Sequence, residues 1–127
     1  MSKLFDRVAF IGIGLIGSSL ARVMLRDKLA GEIVACARTQ ATLDTVKELK
    51  LADRVTRDPA EAAKGADLVV IATHLSAYAE VGKRIADVLK PGAIVTDVGS
   101  VKQAVIRDLK PLLPSGVHLV PGHPVAG

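Results

Sequence analysis

The chain has 127 residues, of which 17 are lysine or arginine and 13 are acidic, giving a formal charge of +4 with half of the residues apolar. A chain of this length buries about two thirds of its unfolded surface around one core, so residues 1–127 are read as a single domain. Phe5, Phe10 and Tyr78 are the only aromatic residues and the basic ones are scattered; this excludes a nucleic-acid face and points to an aliphatic core of the kind that fills a parallel sheet covered on both sides.

Val8 to Ile11 is a continuous apolar run that reaches Gly12-x-Gly14-x-x-Gly17 and passes directly into an amphipathic segment, Leu15 to Arg26. Strand, tight turn and helix follow in that order. Gly12 permits a turn that a β-carbon obstructs, Gly14 lets a pyrophosphate approach the backbone, and Gly17 lets the helix pack closely. The unpaired N–H groups and positive dipole end of that helix then face the phosphates, with Gly12, Gly14, Leu15, Ile16 and Gly17 as the expected contacts. Lys3 and Arg7 precede this stretch, but its glycines and the charged Arg22, Arg26, Asp27 and Lys28 behind it exclude a secretory leader. No apolar run approaches the ~20 residues of a membrane span, so a cytoplasmic protein with no membrane contact is expected.

The first helix should end near Lys28, with Gly31 marking the return to a second strand, Glu32 to Ala37. Cys36 lies in that strand; a lone cysteine forms no intrachain disulfide, and this one reads as a core residue rather than a nucleophile. Thr39 to Lys50 has helical periodicity and Arg54 to Thr56 a short strand. Asp58-Pro59 starts a small helix that ends before Gly65, with Asp58 as its cap. Leu68 to Ala72 is a fourth strand, Ala77 to Leu89 a helix, Ala93 to Asp97 a fifth strand, Val101 to Leu112 a helix and Val117 to Val120 a sixth strand. Six strands alternating with helices predict a doubly wound α/β fold of the Rossmann type, its mostly parallel sheet in the order 3-2-1-4-5-6. Right-handed crossovers put the loops that follow the strands on one rim, where the glycine turn, Arg38-Thr39, Thr73-His74, Gly99-Ser100 and Gly122-His123 gather.

Ala37-Arg38-Thr39 closes the second strand, where NAD-binding domains usually offer a carboxylate to the ribose hydroxyls. A guanidinium and a hydroxyl suit a 2'-phosphate, which favours NADP, with NAD as the alternative. Ala72, Thr73 and Gly99 complete the expected cofactor contacts, and no metal site is indicated.

Two later motifs, Thr96-Asp97-Val98-Gly99-Ser100-Val101-Lys102 and Pro121-Gly122-His123-Pro124-Val125-Ala126-Gly127, resemble the prephenate and arogenate dehydrogenase family of tyrosine biosynthesis. Gly12 to Leu20 matches as well, and the Ala-Arg ending of the second strand is similar to bacterial cyclohexadienyl dehydrogenases. The resemblance extends over the whole chain but only over the family's N-terminal half. It implies oxidative decarboxylation: a hydride leaves C4 of a cyclohexadienol for the nicotinamide while the ring loses carbon dioxide and becomes aromatic. His123 matches the family's catalytic histidine, and a neutral imidazole accepts the C4 hydroxyl proton at physiological pH. Ser100 matches the serine beside it, and capping the helix at Val101 is a second role open to it. Asp97 reads either as a general acid or as a strand-end acceptor of backbone N–H bonds; Lys102 is left outside the catalytic set and His118 is read as structural. His74 departs from the family, which has proline after the fourth strand.

The family's helical C-terminal domain forms a homodimer and supplies basic side chains to the substrate carboxylates. With no counterpart of it in residues 1–127, the expectation is dinucleotide binding with little turnover. Two other readings stay open: a non-catalytic NAD(P)-binding module, and a related dehydrogenase for another small carboxylate.

Overall fold

The computed structural model describes residues 4–73, 75–98 and 107–120, with the backbone alone for 14–16 and 75. Its centre is a sheet of six parallel strands: β1 (Phe5–Ile11), β2 (Ala30–Cys36), β3 (Arg54–Thr56), β4 (Leu68–Ile71), β5 (Ile94–Asp97) and β6 (His118–Val120). Their order is 3-2-1-4-5-6 and every pairing is parallel, as the alternation of strand and helix predicts.

Among the described residues, the helices that cover the sheet include α1 (Gly14–Arg26), α2 (Gln40–Glu48), α3 (Pro59–Ala63) and α4 (Tyr78–Ile85). Alternate residues of each strand point to opposite faces, so β1 divides its side chains between two cores. Val8 and Phe10 join Ile33, Ala35, Val70 and, from the α1–α2 side, Ala21, Met24 and Val46. Ala9 and Ile11 join Val34, Val69, Ile71, Val95 and, from α3 and α4, Ala62, Tyr78, Val81 and Ile85. Covered on both faces, the residues from Val8 to Ile11 are each no more than 1% exposed, which is why the strand reads as an unbroken apolar run.

Several boundaries differ from the expectation. β1 and β2 start earlier, because Phe5 registers with Ala30 and Arg7 with Glu32; Gly31 therefore lies inside β2 rather than marking its start. β2 ends at Cys36, although the Ala37 N–H still donates to the Thr56 carbonyl at 3.2 Å. The helix expected over 77–89 is α4 flanked by tighter 3₁₀ turns at Leu75–Ala77 and Ala86–Val88. Residues 107–109 are helical and continue into a 3₁₀ turn at Lys110–Leu112, while the expected start at Val101 lies outside the described residues. The helices α1 and α2 stop where Lys28 and Lys50 take left-handed φ values of 54° and 55°, positions more often held by glycine.

Strand order reverses between β1 and β4. Crossovers leave β1 to one side and β4 to the other, so a crevice opens at their carboxyl ends.

Candidate functional site

The register brings the strand ends into one row. Ile11 stands beside Cys36 and Ile71, Cys36 beside Thr56, and Ile71 beside Asp97. One residue further on, the Gly12 N–H donates to the Cys36 carbonyl at 2.8 Å, Ala72 to Ile11 at 2.8 Å, and Val98 to Ile71 at 3.1 Å. The next residues out, Gly12, Ala37, Arg57, Ala72 and Val98, thus begin the loops of the carboxyl rim.

Gly12 turns the chain from β1 into α1 with φ +80°, a conformation that L side chains rarely adopt. A β-carbon there would lie 2.8 Å from Thr73 Cγ2 and 3.0 Å from the Ala72 carbonyl group, so glycine is required by space as well as by torsion. Gly17 acts differently: its missing β-carbon would come within 3.3 Å of Ala72 Cβ, so it admits the loop after β4 against α1. Gly14 is the first residue of α1, and Leu15 and Ile16 follow in its first turn.

The start of α1 is bare. Its N-cap position is Ile13, which offers no side-chain hydrogen bond, and the first turn holds no acidic residue. By contrast, Thr39 caps α2 by accepting from the Thr42 N–H at 3.2 Å, and Asp58 caps α3 by accepting from the Ala60 N–H at 3.0 Å. α4 likewise starts without a side-chain cap, at Ala77, but it continues from a 3₁₀ turn and carries Glu80 in its first turn. α1 has neither, and leaving a cap unmade costs about 1 kcal/mol, which suits a helix whose first N–H groups receive an anion from outside the chain.

Beside this turn runs a cleft of about 480 Å³ lined by Ile11, Gly12, Cys36, Ala37, Arg38, Arg57, Pro59, Thr73 and, from α4 and the turn before it, Ala77, Glu80, Val81 and Arg84. A smaller hollow of about 270 Å³ shares Gly12, Ala37, Arg38 and Thr73 with it and reaches Ile13, Thr42 and Ser76. Sequence-predicted residues from three loops therefore meet in one groove. Ala72 stands half-buried at the mouth of β4, packed on Gly12 and Gly17. Thr39 spends its hydroxyl locally, donating to Thr42 Oγ1 at 2.9 Å while capping α2.

Charge along the groove is positive. Among the described residues three arginines line it against one glutamate, Glu80, which faces Arg84 at 3.4 Å. Arg57, which follows β3, was not among the expected site residues; the position after a strand end was the available signal. Burial pushes the Cys36 thiol up to about 11, with the Asp58 charge adding to the rise and Arg84 opposing it. The thiol is therefore neutral and inert at physiological pH, a core group as expected.

Further along the rim, Asp97 is 3% exposed at the end of β5 and accepts a hydrogen bond from the buried Tyr78 hydroxyl at 3.3 Å. β5 and β6 are parallel neighbours, so the chain leaves Asp97 and Val120 at the same rim. Gly99, Ser100 and His123 lie outside the described residues, as do His74 and Lys102. His118 is exposed on β6, at the edge of the sheet.

Comparison with known proteins gives a consistent picture. The family described as "Prephenate dehydrogenase, nucleotide-binding domain" matches residues 20–127. That match starts beyond the glycine turn, whose reading therefore rests on its own geometry. The chain is 37% identical over 123 residues to a cyclohexadienyl dehydrogenase of Zymomonas mobilis, covering 97% of this chain and 42% of that protein. It is 33% identical over 124 residues to a prephenate dehydrogenase of Lactococcus lactis, covering 95% and 34%. Among solved structures it is similar to prephenate dehydrogenase from Aquifex aeolicus in complex with hydroxyphenyl propionate and NAD+, with TM-score 0.84, 28% identity and coverage of 96% and 42%. Synechocystis arogenate dehydrogenase gives TM-score 0.80 at 32% identity, covering 95% and 41%. The chain thus spans less than half the length of these relatives.

Proposed function

The chain belongs to the prephenate dehydrogenase nucleotide-binding family, and from that premise we propose that it holds NADP, in preference to NAD, within an enzyme that oxidatively decarboxylates prephenate or arogenate. The observation that carries the reading is the bare start of α1 behind Gly12, opening into a groove with surplus guanidinium charge. The residues present fit a dinucleotide: Gly12 makes the tight turn that a β-carbon would block against Ala72 and Thr73, and the first N–H groups of α1 lie free of any side-chain cap. Gly12, Gly14, Leu15, Ile16 and Gly17 would hold the pyrophosphate. Ala37, Arg38 and the backbone of Thr39 would meet the adenosine ribose, and Ala72, Thr73 and Gly99 the nicotinamide half.

When bound, the nicotinamide supplies a hydride acceptor. The chain's own part is to orient substrate and to move a proton. In this reading His123 accepts the proton of the substrate's C4 hydroxyl oxygen on a ring nitrogen, and Ser100 hydrogen-bonds the same oxygen. A His123→Asn substitution in the enzyme containing this domain should lower kcat about 10²- to 10⁴-fold, the usual worth of general base catalysis, with dinucleotide affinity preserved. We further place this enzyme in the cytoplasm as a homodimer, with residues 1–127 as its cofactor domain and the cations for the substrate carboxylates in its helical C-terminal domain.

Calorimetric titration of the chain with NADP and NAD tests the first step. Saturable binding with NADP the tighter ligand is expected; failure of both to bind would overturn the reading.

A further inference from the structure

We propose that Arg57 is the second arm of a two-guanidinium site for the 2'-phosphate of NADP, an inference that rests on the dinucleotide reading and extends it to a residue outside the glycine and Arg38 motifs. Arg57 follows β3, and its Nε and Nη2 donate to the Arg38 carbonyl oxygen at 3.1 and 2.8 Å. These two bonds use one edge of the guanidinium plane. The opposite edge keeps both Nη1 hydrogens and one on Nη2, the fork that grips two oxygens of a phosphate.

Neither Arg38 nor Arg57 lies within ion-pair distance of a carboxylate among the described residues, and both are exposed on the same cleft. Arg7, Arg26, Arg54, Arg84 and Arg107 each have such a partner, and Arg22, which has none among the described residues, lies on α1 and does not line the cleft. The Arg57 guanidinium, held on the backbone of Arg38, lines the same cleft as the Arg38 side chain, and two such cations without a carboxylate partner among the described residues suit a dianion. Glu80, the one carboxylate among the described lining residues, faces Arg84 instead. The hydroxyl of Thr39 donates to Thr42, so a cation rather than that hydroxyl is the better-placed second donor. Holding the Arg38 carbonyl also fixes the backbone from which the Arg38 side chain departs. Arg57 therefore acts both by its own charge and by positioning its neighbour.

The test compares adenosine 2',5'-bisphosphate with adenosine 5'-monophosphate, which differ only in the 2'-phosphate, by calorimetry on the chain and on Arg38→Ala, Arg57→Ala and Arg57→Gln. The unsubstituted chain is expected to prefer the bisphosphate. Arg57→Ala and Arg57→Gln should each weaken the bisphosphate about 10- to 100-fold, the worth of one charge-assisted contact, while the monophosphate changes less than about threefold. Equal losses for both nucleotides would assign Arg57 to the adenine or to backbone support and overturn the proposal. So would retained selectivity in both Arg57 variants while Arg38→Ala abolishes it, a result that leaves the NADP reading standing. A chain that binds both nucleotides equally before substitution would instead overturn the NADP preference, and this proposal with it.

Discussion

The two rims of the sheet treat the same kinds of group in opposite ways. At the amino rim, strand-end N–H groups and charges are satisfied within the chain. Asp67 Oδ2 accepts from the Asp6 and Arg7 N–H groups at 2.7 and 3.0 Å while its other oxygen meets Lys90, and Asp53 accepts from the Ile33 N–H at 2.7 Å. Glu32 sits between Arg7 and Arg54, at 2.6 and 3.3 Å. At the carboxyl rim the first turn of α1 has no side-chain cap, and Arg38 and Arg57 have no carboxylate partner among the described residues. An internally saturated edge gives stability. An edge that keeps donors in reserve gives up some stability for binding, and the sheet separates the two tasks by its width.

The contrast is open to direct tests. The largest effect is expected at Gly12: Gly12→Ala forces a side chain into a left-handed turn, costing about 1–3 kcal/mol before the 2.8 Å contact with Thr73 is counted. Thermal melting should fall and dinucleotide binding should vanish together; unchanged binding would break the assignment of this rim. Asp67→Asn should do the reverse, losing about 1–2 kcal/mol of stability with nucleotide affinity untouched, as read by denaturant unfolding and calorimetry.

Asp67 also predicts a pH dependence. The Lys90 ammonium, with the two backbone N–H groups, holds its carboxyl below the usual range. Its contribution is therefore full above the unfolded-state value and lost as pH falls through the lowered one. Unfolding free energy measured below about pH 4 should decline more steeply for the natural chain than for Asp67→Asn.

Thr39→Ala lies between the rims in kind. Removing the α2 cap should cost about 1 kcal/mol, while affinity for adenosine 2',5'-bisphosphate moves less than about threefold because the hydroxyl proton is already given to Thr42. A large affinity loss would return the hydroxyl to the ligand site. The smallest effect is expected at Cys36, whose thiol should stay unmodified by a disulfide reagent at neutral pH until the chain unfolds.

Much of the architecture can be read from local pattern. Strands such as Leu68–Ile71 are aliphatic runs because both faces are covered, and Asp58-Pro59 announces α3 by capping chemistry alone. What escapes that reading depends on partners distant in sequence. Phe5-Asp6-Arg7 is too mixed to declare a strand, and becomes one by pairing with Ala30 to Glu32. Lys28 and Lys50 end helices in a conformation that glycine would have advertised. Gly12 stood in a recognisable glycine spacing and Arg38 at the end of a predicted strand, whereas Arg57 had only its position after a three-residue strand. The pairing of Tyr78 with Asp97 joins residues from different crossovers, and no periodicity records it.

The uncapped beginning of α1 has a thermodynamic consequence for the folded population. Any ligand that supplies the missing acceptors binds the native chain and not the unfolded one, so occupancy is linked to melting temperature; saturation at a hundred times the dissociation constant adds about 2.7 kcal/mol. The supply of such a ligand would then govern how much of this domain survives proteolysis.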